Sequence, residues 1–502
     1  MSRATRFERV LRVGAAVVLL AASSFAAFQG LDATKKKLSD SNERVRQAAV
    51  KELAALSGAP AFELLLACLR DPSPMVADEA QLALAGADEE AELELFFSKD
   101  GAGAKDDLVR LRCAEALGRV EAKLGSARFS KLLADKEASV RRATAWSIER
   151  QAARQGIAES PAPILRKALA ALAEHDPDSG VRAASVMALQ ALAPGLAAAE
   201  IQAFAADKAP EVRSAALLAS APLEPRLRRV LSQTALKDAH PGVRAQACDT
   251  LASVGDRESM ILLADALAEE KSTSVVWRIV ERLRALSGFK SGRDARAWQD
   301  WARALAADWK PGAPAASNSD GESRTATFAG LPMLSDRITF LIDLSGSMWK
   351  EQDGKTPKAG ADRELELALT KLPATAQFNV IPFTGVPIPW QPSLQPATPK
   401  NVAAALAFFV KRKETGKGNF WDAMQLALED PAVDTLILLG DGAPTGGTRW
   451  NVELMSQLHG EQNRFRHVTL NAVLVNCSKG LTRAWATWCT ATGGQTRATD
   501  LR

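Results

Sequence analysis

Four side chains in the last third of the sequence could gather hard oxygen donors. Asp343, Ser345 and Ser347 lie in the segment Asp343-Leu344-Ser345-Gly346-Ser347, and Asp441 lies in Gly440-Asp441-Gly442. Each segment follows an apolar run, residues 337–342 and 434–439, so each carboxylate is expected at the carboxyl end of a β-strand. One carboxylate and two hydroxyls on one loop, joined by a carboxylate from a neighbouring strand end, suit Mg²⁺ or Ca²⁺. A magnesium ion commonly keeps several waters, and an exchangeable water leaves a position that an incoming carboxylate can take.

Catalytic readings fare worse. Gly416-Lys417 resembles the tail of a phosphate loop, but the glycine required five residues earlier is Lys411. Ser345 lacks the Gly-x-Ser-x-Gly setting of a nucleophile elbow. His175, His240, His459 and His467 form no ligand pair at sequence spacing. Among Cys68, Cys113, Cys248, Cys477 and Cys489 there is no Cys-x-x-Cys, which argues against zinc. The first three sit on helical apolar faces and read as core. Cys477 and Cys489 read either as a disulfide formed after export or as two separately buried thiols. No catalytic residue emerges, and the chain is expected not to be an enzyme.

The elements that must position the four oxygens alternate. Strands are expected at 337–342, 377–383, 434–439, 467–475 and 496–499, with helices near 358–372, 401–411, 420–428, 451–462 and 481–490. The prolines of 386–390 suit a sheet edge. Apolar strands interleaved with helices argue a doubly wound, mostly parallel, Rossmann-like sheet, in which ligands collect outside the carboxyl strand ends.

Residues 328–502 resemble a von Willebrand factor type A domain, whose metal-ion-dependent adhesion site uses Asp-x-Ser-x-Ser, a distant threonine and a later Asp-Gly. The resemblance implies that Asp343, Ser345, Ser347 and Asp441 carry Mg²⁺ or Ca²⁺, and that a protein partner offers an acidic side chain to it. One departure stands out. Family members often read Gly-Gly-Thr-Asn before Asp-Ala-Leu, whereas this chain has Gly416-Lys417-Gly418-Asn419 before Asp422-Ala423-Met424. Gly418 occupies the threonine's place and removes a neutral oxygen ligand, with Thr415 and Asn419 as nearby substitutes.

The first half is repetitive. Val45-Arg46 recurs at Val109-Arg110, Val140-Arg141, Val181-Arg182, Val212-Arg213 and Val243-Arg244, and Val76 and Val275 keep the register. Successive valines lie 31, 33, 31, 41, 31, 31 and 32 residues apart, the long interval containing Pro161 and Pro163. An aspartate precedes most of them by five residues (Asp40, Asp71, Asp135, Asp176, Asp207, Asp238), placed to accept backbone N–H groups at a helix start. Valine, a small or polar residue and leucine at i, i+4 and i+8 form a narrow helical stripe, so units must stack into an α-solenoid. This pattern is similar to the short HEAT-like repeat family over about residues 31–290. Such repeats also occur in bilin lyases, which implies an enzymatic alternative. The matching acidic ladder favours arginines that tie turns together over a phosphate-binding track.

Arg3, Arg6, Arg9 and Arg12 precede an apolar stretch with small residues at cleavage spacing, so residues 1–26 read as a signal peptide or an N-terminal anchor. The expected location is periplasmic, cell-envelope or extracellular, with membrane anchoring open. Without Glu8 and those arginines, the 63 basic and 59 acidic residues become 59 and 58, a balance that argues against nucleic acid as a partner. Residues 291–310, bearing Trp298, Trp301 and Trp309, read as a capping helix, and 311–327 as a flexible linker. The expected fold class is a multidomain α plus α/β chain that binds proteins. A metal-independent scaffold binding through the solenoid is the second reading.

Overall fold

A computed structural model describes residues 30–499, except 57, 126, 156–161, 193–194, 290, 313–326 and 352–353. The proposed signal or anchor lies outside the described residues. Among the described residues no helix is long and apolar enough to cross a membrane. The chain divides into two compact units, Met1–Ser160 and Pro161–Arg502. The division falls inside the helical repeats, at the Pro161–Pro163 insertion, and not between the repeats and the sheet.

The first unit holds α1 (described over residues 30–37), α2 (Glu43–Ala54), α3 (Ala59–Cys68), α4 (Pro74–Ala83), α5 (Glu90–Phe96), α6 (Asp107–Leu117), α7 (Ala127–Leu133) and α8 (Ala138–Gln155). Helix α2 packs on α4, α4 on α6, and α6 on α8. The repeated stripe is their contact: Ala49, Leu53, Val76, Ala80, Leu84, Cys113 and Leu117 are buried. The second unit continues with α9 (Ala162–His175), α10 (Ser179–Ala191), α11 (Ala198–Ala205), α12 (Pro210–Ala219), α13 (Pro225–Ala235), α14 (Pro241–Val254), α15 (Arg257–Glu269) and α16 (Thr273–Ser287). There α10, α12, α14 and α16 stack in turn. Helix α17 (Ala295–Ala304) lays fully buried Trp298 against α15, edge-on to Phe289 and Trp301.

The arginines and acids form a ladder. Arg46 binds Asp71, Arg110 binds Asp135, Arg182 binds Asp207 and Arg213 binds Asp238, each spanning 25 residues, and Arg244 reaches Glu270, 26 residues on. The same guanidinium groups donate to backbone carbonyls five or six residues before themselves, as Arg213 does to Asp207 and Lys208. Each acid accepts the N–H two residues on, as Asp207 does from Ala209. That N–H belongs to the residue before the helix, so the carboxylate shapes the turn and clamps the preceding repeat instead of capping the helix itself. In the last unit Glu270 takes the aspartate's role.

A hairpin of β1 (Thr327–Phe328) and β2 (Leu331–Pro332) precedes the sheet. The sheet comprises β3 (Arg337–Asp343), β4 (Gln377–Phe383), β5 (Gln395–Pro396), β6 (Thr435–Gly440), β7 (Thr469–Val475) and β8 (Thr496–Thr499), ordered β5-β4-β3-β6-β7-β8. All pairs are parallel except β4 with the edge strand β5. The proline segment lies along β4, where Ile388 and Trp390 N–H groups donate to Pro382 and Val380 carbonyls. Alternate residues of β3 face opposite layers. Ile338, Phe340 and Ile342 pack with α18 (Pro357–Thr370) and α19 (Pro399–Val410), and α20 (Phe420–Leu428), α21 (Val452–Asn463) and α22 (Lys479–Ala491) complete the module. Cys477 and Cys489 are free thiols, so the disulfide is not formed: Cys489 is buried on α22 and Cys477 lies in the loop beyond β7.

Candidate metal centre

Strand order creates the site. The chain leaves β3 for β4 on one side and returns as β6 on the other, and a crevice opens at the carboxyl ends where that order reverses. Asp343 ends β3, and Asp441 follows Gly440, the last residue of β6. The Ser345 N–H donates to Asp343 Oδ1 at 2.6 Å, which folds the loop back over its strand. The Ser345 and Ser347 hydroxyls are 3.1 Å apart, and Ser347 Oγ donates to Asp441 Oδ2 at 2.5 Å. The Ala443 N–H holds the other oxygen, Asp441 Oδ1, at 2.9 Å. All four expected residues therefore meet.

Asp343 is 3% exposed. Burial first, and the Asp441 charge second, push its carboxyl up to about 7. Among the described residues no basic side chain forms an ion pair with Asp343 or Asp441. Two carboxylates and two hydroxyls without a counter-charge fit a small hard cation. No three acidic, histidine or cysteine side chains gather among the described residues, so hydroxyls and water must complete any coordination shell.

Glycines shape the walls. A Cβ on Gly440 would sit 2.6 Å from Asp343 Cβ, so the two strands approach only because residue 440 has no side chain. A Cβ on Gly418 would lie 3.5 Å from Asp343 Oδ2 and 3.6 Å from Ser345 Cβ. Gly418 thus stands at the site itself, where the family pattern places a threonine. Asn419 caps α20, accepting the Asp422 N–H and donating to Gly385 O and Asp422 Oδ2. A Cβ on Gly346 would lie 3.7 Å from Thr415 Oγ1, which puts that hydroxyl beside the Asp343–Ser347 loop.

No family model matches the sequence. Human inter-alpha-trypsin inhibitor heavy chain H4, whose family contains von Willebrand type A domains, is 34% identical over 130 residues. The match covers 24% of this chain and 13% of that relative, so the chain spans about an eighth of its length. The sheet module is a von Willebrand type A domain. Among solved structures, a von Willebrand factor type A protein from Catenulispora acidiphila covers 34% of this chain and 40% of its own, at 17% identity and TM-score 0.28. The CpcE–CpcF complex of phycocyanin lyase from Nostoc covers 54% of this chain and 94% of its own, at 20% identity and TM-score 0.28. Assignment of the type A domain rests on the relatives and on the strand order and loop geometry of the chain itself.

Two residues of the type A domain escaped the sequence reading. Thr445 accepts the Gly418 N–H at 2.7 Å, while its own N–H donates to the Gly418 carbonyl at 3.0 Å, pinning the glycine loop. A hydroxyl four residues beyond Asp441 was the available signal. Trp485 of α22 is fully buried and donates its indole N–H to the Gly442 carbonyl at 2.8 Å. Gly442 has φ +73°, and a Cβ there would meet that indole nitrogen at 2.9 Å. Nothing local in the sequence marks a tryptophan 43 residues away as the prop of this loop.

Proposed function

We propose that this chain is an exported protein-interaction protein, in which short HEAT-like repeats carry a type A domain that captures a protein partner through a divalent cation. Asp343, Ser345, Ser347 and Asp441 hold Mg²⁺ or Ca²⁺, and an acidic side chain of the partner takes a position that water otherwise fills. The observation that carries this reading is the buried Asp343 facing Asp441 with no basic partner, beside two hydroxyls already oriented toward that pair. The bound ion would supply the positive charge that favours ionised Asp343 and gives the partner's carboxylate something to bind. The chain's own groups fix the loop. The Ser345 and Ala443 N–H groups each hold one carboxylate oxygen, and the Ser347 hydroxyl lies against the second oxygen of Asp441.

The reading assigns the four side chains to binding and gives none of them a catalytic role. Gly418 favours a second reading, a metal-independent scaffold that binds through its repeats. Titration of the full chain with Mg²⁺ and Ca²⁺ separates the two. A rise in melting temperature that Asp343→Ala abolishes supports the cation site, and no response to either ion removes it. Chromophore attachment to the purified chain is the outcome that would install the lyase-like alternative instead. Fractionation of cells expressing the full chain tests export.

A further inference from the structure

The end of the sheet opposite the metal loop meets the last helical repeats, and the meeting is made by named polar pairs. Asp434, just before β6, is enclosed: its Oδ2 accepts from Ser274 Oγ of α16 at 2.8 Å, and its Oδ1 accepts from Ser335 Oγ. Its backbone is pinned as well, the N–H to Arg337 O and the carbonyl to Thr469 N–H. His467, just before β7, uses both ring nitrogens. Nδ1 lies 3.0 Å from Arg278 of α16 and Nε2 lies 3.0 Å from Gln246 Oε1 of α14. A guanidinium can only donate, so Nδ1 is the acceptor and Nε2 carries the proton: the ring is neutral.

The surroundings enforce that state. Arg278 and Arg282 both bind Asp249 of α14, so the histidine faces two cations and one carboxylate that is already engaged. Burial, then Arg278, push the ring down to about 3. His467 also adopts φ +60°, uncommon for a residue with a side chain, at the point where it reaches toward the repeats. Next to it, a Cβ on Gly242 would lie 2.9 Å from the Arg466 carbonyl, so α14 comes this close only through a glycine. The seam is incompletely packed: a cavity of about 350 Å³ lies between Trp277, Arg282, Trp488 and Asn471.

We propose that this seam is a self-docking site whose partner is the chain's own type A domain, held at the amino-terminal ends of β6 and β7 by α14 and α16 independently of the tether. The repeats then act as a mount, and the metal end, at the opposite ends of the same strands, is presented away from them. The inference uses only the seam and stands whether or not the metal site binds an ion.

Introducing a specific protease site between Gly312 and Thr327 of the full chain, and cutting it, tests the proposal. The two pieces should co-elute as one species at 1 µM. Separate elution, with each piece retaining its circular dichroism, overturns it. His467→Ala removes both ring contacts, and Gln246→Leu and Ser274→Ala remove single partners from the repeat side. Each should raise the dissociation constant of the cut protein, by at least tenfold for His467→Ala. Unchanged association in all three overturns the assignment of these pairs. Nitrogen-15 spectra of the uncut chain supply an independent readout. The His467 ring should stay neutral with a protonated Nε2 to below pH 5, and a titration midpoint near 6.5 would show the ring in solvent and the modules apart.

Discussion

Both ends of the central strands hold an aspartate, Asp343 buried and Asp434 half-buried, but in different company. At the amino end Asp434 accepts hydrogen bonds from the Ser274 and Ser335 hydroxyls, which oppose burial and the Asp336 charge in a carboxyl pushed to about 6. At the carboxyl end Asp343 faces a second carboxylate, and burial together with Asp441 carries it to about 7. Donors aimed at a carboxylate make it part of the framework, because its hydrogen bonds are met from within the chain. A carboxylate aimed at a carboxylate is unfinished, because the missing positive charge must come from outside. Burial alone does not separate a structural acid from a binding one. What faces it does.

The largest test of that contrast is deletion at each end. Asp343→Ala should lower Mg²⁺ affinity by 100-fold or more, about 3 kcal/mol or greater, while the chain keeps its fold. Calorimetric titration measures it, and retained affinity would erase the distinction. Acid should act at one end in a defined direction. The ion needs ionised Asp343, so below about pH 7 protons compete and apparent affinity should fall roughly tenfold per pH unit, levelling off above 7. Without the ion the sign reverses. Folding then favours the protonated acid, so this group's contribution to stability is full in acid and is lost as pH rises through 7.

Asp434→Ala should leave Mg²⁺ affinity unchanged and cost about 1 kcal/mol of stability in urea, since the buried Ser335 hydroxyl and the half-buried Ser274 hydroxyl lose an acceptor. A change in ion affinity there would mean that the two ends are coupled. Smallest is the repair of the family's missing ligand: Gly418→Thr should tighten Mg²⁺ binding about fivefold. A Cβ there meets only ordinary contacts, the nearest 3.4 Å from the Ala443 carbonyl. Weaker binding in that variant would place the coordination shell elsewhere.

Much of this was legible in the sequence where chemistry repeats or runs locally. The strand 377–383 and the strand 496–499 are found at the residues expected, because apolar runs between turn signals carry their own boundaries. The arginine–acid ladder was legible because it recurs, although the target of each carboxylate was not. Strands of two residues, such as β5 and the β1–β2 hairpin, are too short to show a period. That hairpin turns through Ala329 and Gly330, both with positive φ, and alanine is a poor advertisement for such a turn. At the carboxyl strand ends Asp343, Ser345, Ser347 and Asp441 lie together, while Thr445 and Trp485 did not announce themselves. His467 was the least legible of all. It found no partner in sequence because its partners stand 189 and 221 residues away, brought together only by the docking of two modules.

The arginine ladder has a consequence for how the helical array fails. Each rung joins one repeat to the next, as Arg182 joins Asp207 and Arg213 joins Asp238, and none of these rungs skips a neighbour. Stability in such an array propagates by adjacency, like links in a zipper. A break at one rung in the middle leaves two shorter blocks, each melting on its own terms. The stretch from Ser179 to Ser287 therefore bears on how firmly the Asp343–Asp441 end is carried, through residues far from that loop.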